Sequence, residues 1–131
     1  MGSGVRCNER EENREIPLAL IHQAGPSLTE FCGIVRSQTH IIEAGRTLRP
    51  SFGASPDAWN EGARLIGQYR AGIVSIYVHQ LACDDEQKNG PRGRETRGKF
   101  GGVFRSLIRH TADGQFDIFP SLSAMRRKRM S

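Results

Sequence analysis

The residues able to do chemistry are few and scattered. Histidines stand at 22, 40, 79 and 110, and cysteines at 7, 32 and 83. None forms the short pairs in which zinc ligands come, and three distant thiols make no disulfide framework. Cys32 and Cys83 lie in apolar runs and read as small core fillers. Asp84, Asp85 and Glu86 are consecutive. Three successive helix side chains point in different directions and cannot converge on one cation, so they read as a solvated face. No nucleophile elbow, phosphate loop or Asp-rich metal motif is present. The sequence therefore gives no reason to expect a catalytic residue, a metal ligand or a cofactor, and it reads as a protein that is not an enzyme.

The chemistry it does offer is charge. The net charge is +5 over 131 residues, but it is unevenly spread. Residues 1–15 hold three Arg against four Glu, and residues 16–87 five Arg against seven acids. Residues 88–131 hold eleven Lys and Arg against three acids. A near-neutral body thus carries a strongly basic final third, which favours a polyanionic partner: DNA, RNA or, less readily, an anionic membrane. Lys99-Phe100-Gly101-Gly102 has the composition of an anion cradle at a helix start. A plain helix start, where glycine permits tight packing, is the better reading. Phe104, Phe116 and Phe119 have the spacing of core residues rather than of a base-stacking platform.

These residues need elements to position them. The length suits one domain. Residues 1–15 are charged, lack periodicity and are expected to form a disordered leader. Ile16–Gln23 is a short apolar run closed by Gly25-Pro26, in which Pro17 suits a first helical turn and Gly25 a helix stop. Ser27 and Glu30 have the spacing of a capping box. That cap opens a helix from Leu28 toward Arg49, with Gly33 and Gly45 as weak points where it can break. Ser55-Pro56-Asp57 is the clearest helix start, with an N-cap serine, proline at N1 and an acid facing the positive dipole end. Trp59, Ala63 and Ile66 then share one face, and Gly67 closes the helix. The run Ala71–Cys83 is the most apolar. Its β-branched residues favour a strand, whereas its length and the lack of a partner strand favour a buried helix, which is adopted here. Residues 84–98 read as a basic, Gly-rich loop. Phe100, Val103, Phe104, Leu107 and Ile108 form a full amphipathic stripe, with Arg105 and Arg109 away from it. Gly114 is a stop, a short helix follows around Pro120, and Arg126–Arg129 form an exposed basic tail. The expectation is an all-α bundle of about five helices, with the domain at 16–125 between a leader at 1–15 and a tail at 126–131. No apolar run approaches the roughly 20 residues of a membrane span, and no secretory segment opens the chain. A cytoplasmic protein is expected.

Two blocks, residues 53–81 and 99–125, together resemble the C-terminal domain of RepC-type replication initiators of the repABC plasmids of alphaproteobacteria. The matching positions are Gly53, Ser55, Pro56 and Trp59, then Gly101, Gly102 and Arg105, then Gly114, Phe116, Pro120, Leu122 and Ala124. Ile16–Gly25 also resembles the segment that opens that domain. Val103-Phe104 stands where the family has Tyr-Leu, and Asp117 where it has Ser. The winged-helix region that the family uses for its main origin contact has no counterpart in these residues. The resemblance implies a role in plasmid replication and leaves two expectations open. In one, the chain associates with origin DNA through phosphate contacts from Lys99, Arg105, Arg109, Arg126, Arg127, Lys128 and Arg129. In the other, it is a protein-interaction domain that docks on another initiator copy or on host replication proteins.

Overall fold

The run from Ala71 to Cys83 organises the molecule. In the computed structural model, which describes residues 16–90 and 99–130, it is the buried middle of a long helix. Seven α-helices and a 3-10 turn are formed by the described residues, and no strand. They are α1 (Leu18–Ala24), α2 (Pro26–Cys32), α3 (Gln38–Leu48), the 3-10 turn (Arg49–Phe52), α4 (Pro56–Ile66), α5 (Gln68–Asn89), α6 (Phe100–Ala112) and α7 (Ile118–Met130). α5 is roughly 33 Å long at 1.5 Å per residue. Ile73, Val74, Ile76 and Val78 are wholly buried and point in successive directions round its axis. A helix apolar on all sides must be surrounded, and α3, α4 and α6 pack along it, with α2 and α7 in smaller contacts. The neighbours thus decide between helix and strand for a run whose β-branched residues favour the latter.

The helix starting at Ser55 forms as its sequence dictates. Ser55 Oγ accepts the Ala58 N–H at 3.1 Å, Pro56 is the first helical residue, and Gly67 ends the helix with φ +88°. Other expectations are refined or corrected. The helix over 28–49 breaks at the first of its two weak points, because Gly33 leaves α2 with φ +76°. Ser37 then caps α3, its Oγ accepting the His40 N–H. With this division the described residues form seven helices rather than about five. Ser27 does not cap α2. Gly25 precedes its first residue, Pro26, while Ser27 is buried inside the helix and Glu30 is exposed. Nor do residues 84–89 belong to a loop. α5 runs on to Asn89, helped by side-chain bonds one turn apart, Gln80 to Asp84 and Asn89 to Asp85. The rest of the expected Gly-rich loop, residues 91–98, and the leader at 1–15 lie outside the described residues.

Gly45 is a packing site rather than a break. A Cβ there would lie 2.5 Å from Gly72 Cα, so α3 and α5 cross backbone to backbone. Ser75 Oγ donates to the Gly45 carbonyl at 2.7 Å across the same crossing. Around it, Phe52 and Phe104 pack with ring centroids 5.8 Å apart, and Trp59, Ile108 and Leu122 are buried in the same core.

Candidate nucleic-acid interface

The basic residues singled out from the sequence fall on two helices that rest on different partners. α6 carries Lys99 at its N-cap, Arg105 and Arg109, and packs on α4 and α5. α7 carries Arg126, Arg127, Lys128 and Arg129 in its last turns, and packs on α1. The run expected as a tail is therefore helical.

Each side chain has its own setting. Lys99 and Arg127 are exposed. Arg109 places its fork on Glu61, with Nε 3.2 Å from Oε1 and Nη2 3.4 Å from Oε2. Its side chain remains 57 % exposed, so the pair contributes little stability and leaves the guanidinium open to solvent. Arg105 Nη2 lies 3.5 Å from Ser55 Oγ, at the start of α4. Arg126 Nη1 lies 3.4 Å from Gln23 Oε1 on α1. Arg129 is held most closely, by the Ala24 carbonyl and by both oxygens of Asp84.

Beneath this surface is a polar group that sequence reasoning missed. Ser27 Oγ and His79 Nδ1 are 2.8 Å apart, and both residues are buried. A serine beside a histidine is the pairing that activates a nucleophile. Here neither side chain reaches the surface, so a substrate has no approach to the hydroxyl. Gln80 Oε1 accepts the Ser27 N–H at 2.7 Å, and Gln80 Nε2 donates to Asp84. The available signal was the pair His79-Gln80, two polar residues inside the most apolar run. A polar group in a buried helix needs a partner, though nothing in the local sequence names it.

Cys32 and Cys83 are half-buried rather than core fillers. Burial pushes the Cys32 thiol up, which disfavours the reactive thiolate. Cys83 Sγ lies 3.8 and 3.9 Å from the two His79 nitrogens. Among the described residues no group of three or more His, Cys, Asp or Glu gathers as a metal site would require, and no helix is long and apolar enough to cross a membrane.

Of the two glycines that open α6, Gly101 is explained by packing, while a Cβ on Gly102 would meet nothing within 4 Å. A Cβ on Gly101 would lie 2.4 Å from the Gly53 carbonyl oxygen. Gly53 and Gly101 belong to the two separate sequence blocks described above, and Arg105 reaches Ser55 across the same junction. The second block also supplies Gly114, at φ +77°, and the wholly buried Leu122. These spaced positions are thus the joints of one architecture, an all-helical domain with basic helix faces. The family model for the replication protein C C-terminal region matches residues 17–128, and the chain belongs to that family. No match was found among curated proteins or among solved structures.

Proposed function

We propose that this chain serves plasmid replication as a non-enzymatic module, acting in the cytoplasm and holding DNA by its phosphates without reading base sequence. The observation that carries the reading is the excess of Lys and Arg in residues 88–131 within a member of a replication-protein family. Lys99, Arg109, Arg127 and Lys128 are exposed and make the first contacts; the half-buried Arg105 and Arg126 stand beside them. Reading base edges needs a rigid element seated in a groove. The α6 and α7 cations sit on different helix pairs and so offer phosphate contacts rather than one reading head.

The test is a titration against an origin duplex and a scrambled duplex of equal length at several salt concentrations. Each phosphate contact adds about 0.9 to the slope of log affinity against log salt. Replacing Arg126, Arg127, Lys128 and Arg129 by Ala is expected to lower that slope and to weaken both duplexes alike. A preference above about 10³-fold for the origin, as true specific binders show, would overturn sequence-blind binding.

A second reading, a domain that docks on another initiator copy or on host replication proteins, is favoured by one surface feature. Phe31 and Ile34 are 59 % and 66 % exposed. They flank an open groove of about 290 Å³, whose other wall includes Ala44 and Thr47 of α3. Exposed apolar side chains gathered at a groove mark interaction sites. Absence of DNA binding at low salt, together with self-association abolished by Ile34→Ser, would select this reading.

A further inference from the structure

Arg129 begins a continuous line of polar contacts that ends under α2. Its Nε donates to the Ala24 carbonyl at 3.0 Å, and its Nη2 to both carboxylate oxygens of Asp84. Asp84 Oδ1 also accepts from Gln80 Nε2 at 2.9 Å. Gln80 Oε1 in turn accepts the Ser27 N–H at 2.7 Å. The line therefore runs from the basic end of α7, across α5, to the buried first turn of α2.

Each link depends on the one outside it. The Ser27 N–H belongs to the first turn of a helix, where backbone donors have no intrahelical acceptor. Gln80 supplies that acceptor. A glutamine amide can offer its oxygen or its NH₂, and only the oxygen can receive an N–H. Asp84 fixes the choice by accepting from Nε2. Asp84 is in turn held in place by Arg129, while its side chain is 40 % exposed and has water within reach.

A phosphate offers a guanidinium the same forked acceptor as a carboxylate. A DNA backbone presents such groups in a row beside Arg126–Arg129. We propose that the Arg129–Asp84 pair is a latch opened by a phosphate backbone: Arg129 exchanges the carboxylate for phosphate, Asp84 turns to water, and Gln80 releases the Ser27 amide at the start of α2. The proposal rests on the phosphate-binding reading above and adds a conformational consequence to it. DNA can shift the latch only because the open form offers one more cation to the phosphates. α2 ends at Phe31 and Cys32, beside the groove, and the Phe31 ring meets the His79 ring edge-on at 5.1 Å. DNA held at α7 therefore loosens the helix that carries the exposed Phe31.

The test uses the full chain and a duplex of scrambled sequence. Amide hydrogen exchange at Ser27 reads the latch directly. It is expected to accelerate on the order of tenfold when the duplex is added, while the Ile73–Val78 amides of α5 stay protected. Arg129→Gln is expected to lower the salt slope by about 0.9. Asp84→Asn is expected to bind about two- to fivefold tighter than Asp85→Asn, which makes the same change in net charge next door, because a partly exposed competing ion pair is removed. Duplex binding with unchanged Ser27 exchange, or an Arg129→Gln slope equal to the parent's, overturns the latch and leaves phosphate binding standing. No duplex binding at low salt overturns both. The exchange measurement on the unaltered chain requires no variant to fold.

Discussion

Trp59 on α4 and Phe104 on α6 show what single residues do here. Both have the spacing of an apolar stripe, and both are buried, Phe104 wholly. Truncating such a side chain loses its transfer free energy and leaves a cavity. Trp59→Ala or Phe104→Ala is therefore expected to cost roughly 3–5 kcal/mol, read as a lowered urea midpoint. An unchanged midpoint would remove either residue from the core. The polar residues are less transparent. Ser27 has the sequence context of a cap, yet its hydroxyl turns inward to His79 because α5 offers a buried polar partner there. Arg129 looks equivalent to Arg126 in the run Arg126–Arg129, yet it is tied to Asp84 and Ala24 while Arg126 reaches Gln23.

Among the elements, α3 and α5 cross backbone to backbone. Gly45 and Gly72 let the two backbones touch, and Ser75 bonds across the contact. The obstacle to a side chain at Gly45 is the backbone of Gly72, which no rotamer change can relieve. Gly45→Ala raises helix propensity in α3, so the helix by itself would gain. The overpacking nevertheless dominates, and a net loss of roughly 1–3 kcal/mol is expected, measured by denaturant unfolding. A gain in stability would show that the helices can separate without penalty. The same reasoning covers Gly101 against Gly53. These glycines lower helix propensity wherever they stand, and only the approach of a second backbone explains them.

In the whole molecule the two ends of the described chain come together. α1 packs chiefly on α7, and Arg126 and Arg129 add contacts to Gln23 and Ala24. α5 is enclosed mainly by α3, α4 and α6. Ending the chain before Ile118 should therefore leave the α5 core formed but strip α1 of its main partner. The expected result is fast hydrogen exchange over Leu18–Ala24 with retained protection at Ile73–Val78. Uniform loss of protection would mean that α7 is needed for the entire core. The same closure places the basic end of α7 beside the polar line through Asp84, Gln80 and Ser27, where binding at the surface can reach the interior.

Local interactions carried what the sequence by itself determined: the all-helical class, the start at Ser55-Pro56, the stop at Gly67, the stripe from Phe100 to Ile108 and the family. A cap bond or an amphipathic stripe links residues within a few positions of each other, so their spacing records it. The tertiary structure alone decided which arginines are held and by what, since Arg129 meets Asp84 across 45 residues and Arg109 meets Glu61 across 48. It also decided why Gly45 and Gly101 are glycine, and that His79 and Gln80 in the apolar run serve Ser27. Such contacts depend on where distant helices cross, and the crossing is set by burial of apolar surface summed over the whole core.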